Sequence, residues 1–131
     1  MADYHKNGVS IKRLTKGKLP RLPFVSLKEK ILGKKYELSI VFATPKLSRE
    51  LNKRFRGKNN PTNILSFPLS KSSGEIVMSL SRVRHDAKLF GKSYAAFLGF
   101  LFIHGMLHLK GFEHGSKMSR KEEALSKKFG F

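Results

Sequence analysis

The stretch His104-Gly105-Met106-Leu107-His108-Leu109-Lys110-Gly111-Phe112-Glu113-His114 holds three of the chain's five histidines within eleven residues. His104 and His108 are four apart, so on a helix they stack on one face, one turn apart. Gly111 follows three residues after His108, where glycine can take φ > 0 and end the helix. The turn then brings His114 back toward the first two rings. Three neutral imidazoles around one small volume make a three-coordinate metal site with an open position. The run that leads in, Tyr94 to Leu109, is the most apolar in the chain. It is shorter than the roughly 20 residues a membrane span needs and reads as a buried helix, with the metal at one edge of the core.

The spacing H-x3-H-x2-G-x2-H matches the metal-binding part of the metzincin protease pattern. One position breaks that analogy. In H-E-x-x-H enzymes the residue after the first histidine is a glutamate acting as general base; here it is Gly105. The cage is kept and the protease base is missing. A lone histidine on an apolar helix is more often a satisfied core residue, but three at this spacing with a glycine at the turn point to a metal.

Working outward, 131 residues suffice for one domain, 1–131, with a core of its own. Cysteine is absent, which removes disulfides and thiolate ligands and fits a reducing, cytoplasmic setting. Lysine and arginine number 27 against 9 acids, a formal +18. Such an excess favours a polyanionic partner, nucleic acid before an anionic membrane, although lysine-rich composition can also reflect the source. Residues 1–35 carry ten basic residues against Asp3 and Glu29, a balance of +8, and the other 96 carry +10; the charge is spread out, not confined to a basic arm. Residues 1–20 contain no apolar segment of the secretory kind, and no membrane partner is expected.

The pattern along the chain mixes strands and helices, an α/β (α+β) arrangement with one small sheet. Val9 to Leu14 reads as a strand, and Lys16 to Pro23 as a loop broken by Gly17, Pro20 and Pro23. Ser26 is a plausible N-cap for a short helix to about Leu32, ended by Gly33, and His5 falls in a terminus expected to be mobile. Tyr36 to Ala43 alternates, with Tyr36, Leu38, Ile40 and Phe42 on one face of a strand. Thr44-Pro45 opens a helix to about Phe55. Thr62 to Phe67 is a strand stopped by Pro68, followed by a polar turn and a strand from Glu75 to Leu80, the two able to form a hairpin. Ser81 to Phe90 has helical spacing, Gly91 ends it, and Ser93 caps the apolar helix. Ser119 with Glu122 forms a capping box for a last helix to about Lys128.

Two further stretches, read with the histidines, resemble a known family. His104 to His114 (HGMLHLKGFEH) looks like the signature of the YbeY family of rRNA-maturation endoribonucleases. Asn52 to Pro68 (NKRFRGKNNPTNILSFP) and Gly74 to Ser79 (GEIVMS) resemble its other blocks, in the family's order and spacing. The resemblance covers most of residues 36–128. It implies a small mixed β-sheet flanked by helices, related to the metalloprotease fold. His104, His108 and His114 match the family's zinc ligands, which implies one Zn2+ ion, and Arg56 matches an arginine needed for activity. The implied substrate is single-stranded RNA, notably the 3′ end of small-subunit (16S) rRNA. A part in ribosome quality control is also implied, with the small ribosomal subunit and assembly factors as partners. Family members often carry acids where this chain has Asn59 and Asn63, and tyrosine where it has Phe112. The amides remove negative charge and favour a phosphate ligand.

Elementary chemistry assigns roles to these residues. An ion on three imidazoles lowers the pKa of bound water from 15.7 to about 7 and acts as a Lewis acid. RNA also carries its own nucleophile, the 2′-OH, so Gly105 need not be a catalytic loss. Direct attack and 2′-OH attack leave different product ends, and sequence does not choose between them. His104 and Arg56 are the catalytic candidates; the guanidinium can clamp a phosphate at two points and stabilise developing charge, or be a solvated surface arginine. Thr62, Asn63 and Ser66 can donate to phosphate or ribose, or simply shape the turn after Pro61. Phe67 can stack on a base, though a core position suits it better. Glu75, and less strongly Glu113, can orient a ligand histidine. His85 and His5 have no partner at ligand spacing. Two other readings compete with the endoribonuclease: a metallohydrolase of another class, such as a peptidase, and a non-catalytic ribosome-assembly factor braced by structural zinc. Zinc suits three histidines plus water, although nickel, cobalt or copper can occupy the same ligands.

Overall fold

In the computed structural model, which describes residues 4–131, the strands are β1 (Tyr4–Lys6), β2 (Val9–Arg13), β3 (Glu37–Phe42), β4 (Ile64–Ser70) and β5 (Ser73–Met78). The helices are α1 (Phe24–Ile31), α2 (Pro45–Arg56), α3 (Leu80–Leu89), α4 (Tyr94–Leu109) and α5 (Ser116–Phe129). The strands form one mixed sheet in the order β1-β2-β3-β5-β4. β2, β3 and β5 run parallel, and β1 and β4 close the two edges antiparallel. This is the single small mixed sheet flanked by helices expected from the sequence.

Alternation along the strands sorts the apolar residues to two faces. Leu38, Ile40 and Phe42 of β3 join Val9, Ile11, Ile76 and Met78 in the main core under α1, α3, α4 and α5. Val41, Ala43, Leu65 and Val77 face the other way, where Leu47 and Leu51 of α2 cover them. α4 is apolar on nearly every side, and a helix of that kind has to be buried. It packs on β4 and β5 and touches α1, α3 and α5, with Leu98, Phe102, Ile103, Met106 and Leu107 inaccessible to solvent. Its approach to the sheet is closest at Gly105: a Cβ there would stand 2.7 Å from Ile64 Cδ1, 3.0 Å from Ser66 Oγ and 3.2 Å from Ile76 Cδ1. The Ser66 hydroxyl donates to the Gly105 carbonyl at 3.1 Å across the same contact. Among the described residues no single helix is long and apolar enough to cross a membrane.

Several local expectations need correction. α1 starts at Phe24 with Pro23 at its cap position and no side-chain cap, so Ser26 is inside the helix. The Phe24 ring packs edge-on against Phe102, centroids 5.1 Å apart, and that contact favours the earlier start. Pro68 does not stop β4. The strand is at the sheet edge, where a missing N–H is tolerated, and the ladder continues to Ser70 with a register shift at Pro68. β5 ends at Met78, and Ser79 caps α3 by accepting from Arg82 N at 3.4 Å. α5 begins at Ser116, so Ser119 and Glu122 lie within it and form no capping box. His5 belongs to β1, which pairs with β2 through Asn7 (φ 50°) and Gly8 (φ 76°), a two-residue hairpin of the Asn-Gly kind.

The Gly105 contact predicts that Gly105→Ala, although it raises helix propensity, destabilises the protein by about 1–3 kcal/mol through overpacking. Urea unfolding followed by circular dichroism measures this, with helix content unchanged in the folded baseline.

Candidate metal centre

The last two turns of α4 carry His104 and His108 on one face, and the chain then reverses. Gly111 adopts φ 106°; Gly111 N donates to His108 O and Phe112 N to Leu107 O, both at 3.0 Å. The reversal brings His114 to the other two rings, with centroids 5.2 Å from His104 and 4.5 Å from His108. One ligand atom from each of the three lies within 4.8 Å of the others. The two helix imidazoles are half-buried and His114 is exposed, so the group opens to solvent on one side.

The orientation of the rings follows from what each Nδ1 touches. His104 Nδ1 lies 2.5 Å from Glu122 Oε1, and His108 Nδ1 lies 3.1 Å from the Phe112 carbonyl. A carboxylate and a carbonyl only accept, so both rings donate from Nδ1, and in the neutral ring Nε2 is then the lone pair available to a metal. Those two Nε2 atoms are 3.1 Å apart. Zinc–nitrogen bonds of about 2.0–2.1 Å in a tetrahedron put neighbouring ligand nitrogens about 3.3 Å apart, close to the spacing found. The residues therefore fit a metal ion. Burial, then the neighbouring His104, hold the His108 pKa below the ordinary imidazole value, which keeps that ring neutral and able to ligate at neutral pH.

Glu122 is the site residue that the sequence reading missed. It is buried on the α5 stripe that also holds Met118 and Leu125. A carboxylate at core spacing on an amphipathic helix was the available signal. Glu75 and Glu113, the acids considered for this task, have no hydrogen bond to any of the three histidines among the described residues, and Glu113 is exposed.

Beside the imidazoles lies a pocket of about 240 Å³ lined by Arg56, Ile64, Ser66 and the three histidines. Arg56 closes α2 just before Gly57, which adopts φ 69°. It is exposed and has no ion pair among the described residues. Its position is set from the buried side of α2. Asn52 Nδ2 donates to Asn60 O at 2.9 Å, Ser48 Oγ donates to Thr62 O at 2.7 Å, and Thr62 N donates back to Ser48 Oγ at 3.0 Å. These bonds pin the 57–63 loop to the helix whose last residue, Arg56, lines the cleft. Thr62 and Asn63 line a second, larger cavity that shares Arg56, His104 and His114. Asn63 Nδ2 donates to Asp86 Oδ2 at 3.0 Å, so its amide is anchored from α3. Phe67 is half-buried and meets Phe55 edge-on at 5.0 Å on the far face of the sheet, away from the cleft. His85 pairs with Asp86 and is not part of the cluster.

A family model described as Endoribonuclease YbeY matches residues 5–130. The endoribonuclease YbeY of Halalkalibacterium halodurans is 34% identical over 110 residues, covering 72% of this chain and 69% of its own length. That of Wolinella succinogenes is 39% identical over 101 residues, covering 72% of each chain. The solution structure of TM1509 from Thermotoga maritima superimposes with a TM-score of 0.60 at 26% identity, over 89% of this chain and 87% of that one.

The His104–Glu122 bond predicts that Glu122→Gln weakens divalent-ion binding about 10- to 100-fold, as read by chelator competition, with the fold retained. Because proton and ion compete for the same lone pairs, lowering the pH from about 7.5 to about 5.5 weakens binding. Calorimetric titration at the two pH values checks the sign.

Proposed function

The chain belongs to the endoribonuclease YbeY family, and we propose that it is a zinc-dependent, single-strand-specific endoribonuclease that acts on rRNA. The observation that carries this reading is the convergence of the His104 and His108 Nε2 atoms and His114 next to Arg56, which has no ion pair among the described residues, in an open cleft. Three imidazoles with no acid among them suit zinc. When bound, such an ion supplies Lewis acidity and a water acidified to a pKa of about 7.

The chain's own residues supply the rest. His104, His108 and His114 hold the ion, with His104 braced by Glu122 and His108 by the Phe112 carbonyl. Arg56 binds the phosphate that faces them and stabilises its charge as the bond breaks. Ser66, half-buried beside the histidines, and Thr62 and Asn63 at the cavity next door contact phosphate or ribose. Gly105 lies against the sheet with no room for a side chain, which removes the glutamate base a peptidase of this ligand pattern needs and favours a substrate that brings its own 2′-OH. The chain's +18 charge supports a polyanionic substrate. Within this reading, residues 1–131 act as one domain in the cytoplasm. The cut matures the 3′ end of 16S rRNA and serves ribosome quality control, in contact with the small subunit and its assembly factors.

Purified protein is expected to hold about one zinc per chain, consistent with three-histidine sites, and His104→Ala/His108→Ala/His114→Ala to hold none. Arg56→Ala is expected to keep the metal and lose about 10²- to 10³-fold in single-stranded RNA cleavage. Cleavage of peptides and not RNA by the metal-loaded protein, or full RNA cleavage by Arg56→Ala, would reject the assignment.

A further inference from the structure

The larger cavity beside the histidines, about 510 Å³, has an aromatic wall that the metal chemistry does not use. Phe90 at the end of α3 and Phe97 on α4 are stacked, with centroids 5.4 Å apart and planes 22° apart. Phe97 and Phe100 continue the series at 6.3 Å and 16°. The three rings therefore share nearly one orientation: Phe97, 3% exposed, is between the half-buried Phe100 and Phe90, which is 68% exposed. Lys92 lies over Phe100, its Nζ 5.7 Å from the ring centroid. The opposite side of the cavity is the site already described, Arg56, His104 and His114.

We propose that this wall is a base-stacking subsite, which takes one unpaired nucleobase of the RNA next to the phosphate held by Arg56 and the metal ligands. The inference rests on the nuclease reading above for the identity of the strand. A set of near-parallel rings is complementary to a flat aromatic ligand, and every base has a π-face whatever its sequence. Lys92 at the rim supplies the cation that the neighbouring phosphate needs. Continuity with Arg56 and the histidines places base and phosphate on one strand. In a duplex both faces of each base are already stacked on neighbours, so only an unpaired base can lie on Phe90. The wall is thus a physical source of preference for single strands, and it leaves base identity open.

The test uses the full-length, metal-loaded protein and short single-stranded RNAs, each with one abasic residue moved stepwise past the cut. Phe90→Ala, at an exposed position, is expected to raise the KM for intact RNA about 5- to 100-fold with a smaller change in kcat, and Phe90→Trp to restore it. In wild type, one abasic position adjacent to the cut is expected to produce the same loss. On that substrate Phe90→Ala should add nothing further, because ring and base are the two halves of one contact. An unchanged KM, or losses that simply add at every abasic position, would overturn the subsite. A change in sedimentation without a change in KM would instead make the wall a surface for another protein chain and would also overturn it. Equilibrium binding of labelled RNA, measured in parallel, separates this from the nuclease reading. RNA binding that depends on Phe90 without any cleavage would reject the nuclease and keep the stacking wall. Cleavage with Phe90-independent affinity would reject the wall alone, and neither binding nor cleavage would reject both.

Discussion

The close approach of α4 to the sheet at Gly105 fixes where everything else in the site can be. With hydrogen in place of a side chain, the helix backbone comes within reach of the Ser66 hydroxyl, and the Ile64 and Ile76 side chains fill the space beneath it. His104, one residue earlier, is thereby turned along the edge of the sheet toward the cleft, and His108 follows one turn later on the same face. β4, the strand touched, is also the strand that the Arg56–Asn63 segment leads into. One contact thus sets the distance between the imidazoles and Arg56. A larger residue at 105 would move the metal ligands and β4 apart together.

Negative charge is scarce in this protein, nine acids against 27 bases, and both acids that are buried among the described residues, Asp86 and Glu122, are at the site. Glu122 takes the His104 proton side. Asp86 holds the Asn63 amide and is itself paired with Arg82 at 3.2 Å. Asp86 orients the Asn63 amide, and Glu122 orients the His104 ring while itself lining the larger cavity beside Arg56, His104 and His114. The electrostatic result is a concave surface of imidazoles, amide and guanidinium with one carboxylate at its wall, against the His104 ring. Such a surface attracts a phosphodiester while keeping the imidazoles in the tautomer a metal requires.

The helices, the strands and the three clustered histidines were legible in the sequence; the carboxylates that orient the site were not. The histidine spacing, the alternating Leu38, Ile40 and Phe42, and the Thr44-Pro45 helix start are local signals with local causes, and the structure follows them. The failures come where a tertiary contact outweighed a local preference. Ser119 with Glu122 has the form of a capping box, but Glu122 is worth more against His104 than as a cap. Pro68 is a strand breaker only in a strand with two neighbours, and sequence does not say that β4 is at an edge. Phe24 starts α1 early because Phe42 and Phe102 are waiting for its ring. The Asn7-Gly8 hairpin is a different kind of miss, since its signal is a local dipeptide. The aromatic wall could be read from spacing only in part: Phe97 and Phe100 are three apart on one helix, but Phe90 joins them only because α3 and α4 meet at a 108° bend.

The ligand pattern shared with zinc proteases raises the question of what separates the two chemistries. The answer lies in the direction of one Cα–Hα bond. On α4 a Cβ at the position after His104 would meet the ends of the Ile64 and Ile76 side chains and the Ser66 hydroxyl, so a glutamate there would have to displace them. A peptide bond brings no nucleophile of its own and would find no base here to activate one. An RNA strand has a 2′-hydroxyl beside every scissile phosphate and does not depend on a glutamate at this position to supply a nucleophile. Under the proposed function, the packing at Gly105 that joins helix to sheet therefore also favours a substrate of that kind over a peptide.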